Sequence, residues 1–199
     1  AFFSVTSMVA WAIAVLVLFS SLNKPVENLG IVLLPLAGIA VLLAWRHPGY
    51  DDKSWYVGLA LFYNETDPLP GPKNTLIRTG IMTHYFRTTF TVDEAMLAEW
   101  LEPGSRWVLN LNTIYDDGLV FYLNEVEVLR LNMPDGNVNY LTTALPGEGR
   151  LNGPYEIALT NLVSGVNTFA VELHQNTRSS SDAVMGAELL VERYTPYRE

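Results

Sequence analysis

The sequence predicts a membrane-anchored all-β protein: a two-helix transmembrane hairpin over residues 1–46, then a β-sandwich over residues 47–199. Three observations carry that reading. Residues 1–46 hold only three charges, Lys24, Glu27 and Arg46, while the rest of a chain of net charge −9 holds ten basic and twenty acidic side chains. Mean hydropathy is +0.17, and the apolar excess lies in the first 46 residues. From Trp55 onward, apolar and polar residues alternate with the two-residue period of a half-buried strand. The chain has no Cys, which excludes disulfides and thiolate metal sites. Its acidic remainder carries no basic stripe, so no nucleic-acid partner is expected.

Ala1–Leu22 is uncharged over 22 residues, long enough for one helix across a bilayer core of ~30 Å. Leu29–Trp45 is uncharged over 17 residues and reaches the short end of the spanning range. Pro35 predicts a kink. Trp45 and Arg46 close the segment as a membrane-interface pair, an aromatic ring at headgroup level and a long cation that can snorkel. The link Asn23–Asn28 is short and contains Lys24-Pro25, which breaks the helix. Both outer ends of the predicted hairpin (helices about 1–22 and 29–45) therefore lie on one side. Small residues such as Ala10, Ala14, Gly30, Ala37 and Gly38 permit close helix packing.

The second part reads as short strands between Gly, Pro, Asn and Asp. His84–Val92 sets Phe86, Phe90 and Val92 against Tyr85, Arg87 and Thr89. Ser105–Tyr115 sets Trp107, Leu109 and Leu111 together. Leu119–Leu123 and Val126–Leu131 flank a tight turn at Asn124-Glu125. Tyr155–Leu159, Val166–Leu173 and Ala183–Val191 follow. Asp93–Leu101 is a short helix with Asp93 as cap and Pro103-Gly104 as stop. Seven or more such strands argue a sandwich.

Two resemblances add to this. The run from Phe2 to Leu43, with its KPVENLG turn and LLPLAGIAVLL stretch, resembles two helices of the cytochrome c assembly family of membrane proteins. That likeness implies a membrane location. The haem-binding tryptophan motif and histidines of that family have no counterpart here. About Ser54–Arg193 is similar to galactose-binding-like jelly-roll modules of secreted bacterial proteins, as appended to metallophosphoesterases. The match rests on Tyr85–Asp93, on Tyr115–Val128 with Asn132-Met-Pro134, and on Gly165–Asn176 with Ser179–Asp182. It implies an extracytoplasmic domain. The count of basic residues beside the membrane leans the other way, with Lys24 in the loop against Arg46 and Lys53. The likeness to exported modules outweighs a difference of one residue, and the expected location is a bacterial cytoplasmic membrane with the sandwich on the periplasmic side.

Asp116-Asp117-Gly118 reads as a turn, with carboxylates capping N–H groups and Gly supplying a positive φ. Read functionally, its paired carboxylates suit Ca²⁺ or sugar hydroxyls. His174, Asn176 and Asp182 follow the penultimate strand and read as a buried hydrogen-bond network or a ligand site. Trp55, Tyr56, Tyr63 and Tyr140 are candidate platforms for a glycan. The motifs of serine hydrolases, zincins, P-loops and dinucleotide folds are absent from the sequence, so no enzyme is expected. The reading that remains is a non-catalytic structural subunit that binds other integral membrane subunits and lipid in a larger complex, respiratory or photosynthetic. The alternatives are a membrane-tethered carbohydrate-binding module and, behind it, a haem-delivery component.

Overall fold

The computed structural model describes residues 18–21, 44–146 and 150–194. Among the described residues, eleven strands and one α-helix make a two-layer sandwich. In chain order they are β1 (Leu18–Ser21), β2 (Tyr56–Leu59), β3 (Phe62–Asn64), β4 (Thr75–Leu76), β5 (Thr83–Val92), α1 (Glu94–Leu101), β6 (Trp107–Asp116), β7 (Gly118–Leu123), β8 (Val126–Leu131), β9 (Arg150–Ile157), β10 (Gly165–His174) and β11 (Ala183–Arg193). The first sheet runs β2-β1-β5-β10-β7-β8 and the second β4-β3-β11-β6-β9. The long strands pair antiparallel: β5 with β10, β10 with β7, and β6 with β11. β3 with β4 is a short parallel pair.

The alternation read in the sequence has its cause between the sheets. Phe86 on β5, Phe121 on β7 and Phe169 on β10 point inward and meet Phe62, Leu111 and Met185 of the second sheet, all fully buried. Phe121 and Phe169 stack with centroids 5.5 Å apart. Trp107 is half-buried at the rim of this core rather than inside it, packed beside Trp100. α1 closes that end. The Asp93 carboxylate accepts from the N–H groups of Ala95 (2.8 Å) and Met96 (3.3 Å), as the cap read in the sequence requires. Asn124 and Glu125 both take positive φ, 49° and 71°, the primed-turn geometry that suits a two-residue hairpin between β7 and β8.

A second core covers the outer face of the first sheet. Strand β7 is buried on all six residues, because Val120 and Tyr122 on that face are covered too. The cover is the segment Ala44–Trp55 with the loop around Met133, Val138 and Ala144. Trp45 lies edge-on to Tyr85 (centroids 4.9 Å) and Tyr122 (6.0 Å), and the Arg46 guanidinium sits 4.0 Å over the Tyr122 ring. These residues were expected at a membrane interface. The structure places them on the sandwich instead, because the aromatic face of β5 and β7 offers a ring and a cation a drier, more complementary surface. Arg87, 2% exposed, pins the same segment. It donates to the carbonyls of His47 (3.0 Å) and Tyr50 (3.4 Å) and pairs with the Asp52 carboxylate.

The two spans predicted over about 1–22 and 29–45 lie outside the described residues apart from their ends. Those ends differ from the prediction. Leu18–Ser21 is a strand whose backbone groups pair with β2 and β5, and Ala44–Arg46 is a 3-10 turn. Long-range ladders, to β2 along Leu18–Ser21 and to β5 at Ser20 and Ser21, take up backbone groups that a helix would pair internally. Among the described residues, no helix is long and apolar enough to cross a membrane. The strands β2, β3 and β4 were not resolved individually from the sequence, being two to four residues long.

Candidate functional site

Strand ends gather the predicted residues at one end of the sandwich. Register sets Ala183 opposite Asn64, Val184 opposite Asp116, and His174 opposite both Gly118 and Thr83. Within that end the residues divide among distinct hydrogen-bond sets.

The first set knits loops. The Asp117 carboxylate accepts from the main-chain N–H of Asn176 at 2.8 Å, and the Gln175 amide donates to the Asp116 carbonyl at 3.2 Å. The Asn132 amide donates to the carbonyls of Asp117 (2.8 Å) and Leu145 (2.7 Å). Asn176 thus serves through its backbone. Gly118 corrects an expectation: it is not among the positive-φ glycines. A Cβ there would lie 2.8 Å from Ala144 Cβ, the Asn132 carbonyl oxygen and Met133 Sδ. Close approach, rather than turn geometry, requires glycine at this position.

The second set brings carboxylates together. Glu65, just beyond β3, Asp116, at the end of β6, and Asp182, just before β11, place ligand oxygens within 4.8 Å of one another. Ser180 Oγ donates to Asp182 Oδ1 at 2.9 Å, and the Glu65 carboxylate accepts from the Asp67 N–H at 2.7 Å. Oxygens at this spacing can share one cation with Ca–O distances of about 2.3–2.6 Å, so the donor set fits a hard divalent ion. Glu65 was missed as a site residue. Nothing local links it to Asp182 over more than a hundred residues of separation.

The third set is buried under the second core. Tyr122 donates its hydroxyl to Glu172 Oε1 at 2.7 Å, and Glu172 Oε2 lies 3.2 Å from His174 Nε2. His174 Nδ1 reaches the Thr142 carbonyl at 2.8 Å and Thr83 Oγ1 at 3.1 Å, and Thr83 donates to the Tyr140 carbonyl at 2.8 Å. Burial, and then the Glu172 charge, push the phenols of Tyr122 and Tyr85 well above the usual tyrosine range. Both phenols stay protonated, and Tyr122 stays a donor. The chain of bonds ties β5, β7, β10 and the 140–142 loop into one piece.

The aromatic candidates for a glycan platform are dispersed. Trp55 is buried in the second core, Tyr56 lies exposed on β2, Tyr63 lies under Lys73 Nζ at 5.6 Å, and Tyr140 is exposed on a loop. His84, isolated in the sequence, is buried beside Phe86, and burial lowers its pKa to about 4. An apolar hollow under α1, lined by Phe90, Met96, Trp100, Leu109 and Leu162, encloses about 50 Å³. Ordinary ligand pockets hold ~300–1,000 Å³.

Among solved structures the chain resembles parts of bacterial glycosidases. It matches a beta-glucuronidase of Bacteroides uniformis with TM-score 0.52 and 13% identity, over 92% of this chain and 18% of that one. It matches the same organism's beta-glucuronidase 2, covalently bound to cyclophellitol-6-carboxylate aziridine, with TM-score 0.53, 13% identity and the same coverage. The Ruminococcus gnavus beta-glucuronidase, in complex with uronic isofagomine, matches with TM-score 0.50 and 11% identity over 96% of this chain and 30% of that one. The chain spans less than a third of each of these proteins. At this identity the likeness shows the β-sandwich fold. No protein-family model and no curated protein sequence matches the chain, and nothing in these comparisons supports the cytochrome c assembly likeness of residues 1–45.

Proposed function

We propose that this chain is a non-catalytic accessory subunit whose sandwich is a galactose-binding-like jelly roll. The apolar residues of the first 46 attach it to a bacterial cytoplasmic membrane, with the sandwich on the exported side. There it adds contact area to a larger membrane complex. One observation carries the non-catalytic reading: the signature residues direct their polar groups into the fold itself. Asp117 holds the Asn176 backbone, and His174 joins Glu172, Thr83 and the 142 carbonyl. A catalytic cluster would present such groups to a cleft large enough for substrate. Glu65, Asp116 and Asp182 are the residues that would take Ca²⁺, as a structural ion between strand ends.

The full chain is to be affinity-purified from detergent-solubilised membranes. Recovery of integral membrane subunits at constant stoichiometry supports the proposal. Recovery of the chain alone, with binding on a glycan array, would replace it by the carbohydrate-binding reading. Glycosidase activity in the purified chain would overturn the non-catalytic assignment.

A further inference from the structure

Val57 and Leu59 stand 74% and 45% exposed on β2, the outermost strand of the first sheet, with Tyr56 58% exposed beside them. Their direction follows from Gly58. A Cβ there would meet the Thr75 side chain at 2.6 Å and Phe62 Cε1 at 3.0 Å, so position 58 faces the second sheet. Successive strand residues alternate, so Val57 and Leu59 face outward. The register continues the row: Val57 lies opposite Ser20, and Ser20 opposite Arg87. Arg87 holds His47, Tyr50 and Asp52, part of the Ala44–Trp55 cover on that same outer face.

The uncharged stretches of the sequence join the sandwich here. Residues up to 17 lead into β1 at Leu18, and β1 pairs along its whole length with β2. Residues 22–43 leave from Ser21, whose register partner is Tyr56, and rejoin at Ala44, where the outer-face cover begins. The uncharged runs meet the sandwich without a spacer at Leu18 and at Ala44, whereas the polar Asn23–Asn28 link follows Ser21.

We propose that the β2 edge, through Val57 and Leu59, rests on the lipid surface of the membrane. The inference relies on the membrane attachment proposed above. So small an apolar patch would bind a vesicle weakly by itself, since lasting interfacial attachment usually needs a larger apolar area or a second signal. Attachment of the flanking residues makes the contact intramolecular, and a weak contact then suffices. The result is a sandwich held at a fixed tilt on the bilayer.

The chain has no cysteine, so a single substitution gives one labelling site. Full-length Val57→Cys, Leu59→Cys and, on the opposite edge strand β8, Val126→Cys are labelled with bimane. Each is reconstituted into phosphatidylcholine–phosphatidylglycerol vesicles with and without brominated lipid. Val126 is 52% exposed, so its label is comparably open. Labels at 57 and 59 should lose at least about half their fluorescence, as expected for groups ~5–10 Å into the headgroup boundary, and the label at 126 almost none. Flotation of all three variants with vesicles, together with equal insensitivity to brominated lipid, would overturn the docking while leaving membrane attachment intact. Failure of the full chain to float would overturn both. Two labelled positions guard against one substitution disturbing the strand.

Discussion

The two cores of this sandwich are built from different chemistry. Between the sheets the contacts are almost wholly apolar: Phe62, Phe86, Leu111, Phe121 and Phe169, none more than 1% exposed. On the outer face of the first sheet, Trp45, Tyr85 and Tyr122 pack with Val120, Met133 and Ala170, and the same face carries the hydrogen bonds of Arg87, Glu172 and His174. The inner core tolerates no charge and needs only alternation. The outer core gains specificity from hydrogen bonds, which fix where the Ala44–Trp55 segment lies. In the Arg87–Asp52 pair only the guanidinium is buried, the Asp52 side chain being 33% exposed, so it is removal of Asp52 that would strand a buried charge. The inner core therefore holds the sheets together, and the outer one sets what covers them.

The largest effect should come from the inner core. Phe121→Ala removes a ring stacked on Phe169 and should cost ~3–5 kcal/mol in urea unfolding, from the lost transfer energy and the cavity left behind. Arg87→Ala should cost ~2–3 kcal/mol through the lost hydrogen bonds to the His47 and Tyr50 carbonyls and to the partly exposed Asp52 carboxylate. It should also release the strap, so that amide exchange accelerates over residues 45–55 and not over β10. Equal acceleration in both would merge the two cores into one unit.

A third test uses His84, which is buried in the inner core with its pKa lowered to about 4. Above pH 6.5 the imidazole is neutral in both folded and unfolded chains, and the group contributes no pH dependence. Between pH 6.5 and 4 the unfolded chain takes up a proton that the folded chain refuses, so stability falls as pH falls. The total is ~3 kcal/mol at about 1.4 kcal/mol per unit. His84→Leu should flatten that part of the profile, and an unchanged slope would place His84 in a wetter site. The smallest effect should come from Asp182→Asn. It reduces repulsion within the Glu65–Asp116–Asp182 group and in EDTA should shift stability by under ~1 kcal/mol. If Ca²⁺ raises the melting temperature of the parent and not of Asp182→Asn, the trio holds the ion.

The inner core was legible in the sequence because alternation is local. Phe86, Phe90 and Val92 announce one face of β5 without knowledge of any partner, and the Asp93 cap and the Asn124-Glu125 turn carry their own local chemistry. The outer core was not legible in this way. Trp45 and Arg46 follow an uncharged run, and that context favours a membrane interface; only the aromatic surface made by β5 and β7 draws them onto the sandwich. The residues marked in the sequence, Asp116, Asp117, His174, Asn176 and Asp182, lie at one end of the sandwich. Their division into a loop tie, a carboxylate trio and a buried network depends on partners such as Glu65, Thr83 and Tyr122, which lie far away in sequence.

The central claim is that the signature residues serve the fold, and His174 with Glu172 tests it most directly. Equilibrium unfolding of His174→Leu, Glu172→Leu and the double variant gives their coupling energy. The account predicts each single variant destabilised by about 2–4 kcal/mol, as when one partner of a buried polar pair is removed. It predicts a coupling above ~1 kcal/mol, with recovery of the membrane complex falling in proportion to the folded fraction. Variants that keep full stability and a coupling near zero, yet lose binding to a glycan or to the complex, would contradict it, because the pair would then be serving a ligand.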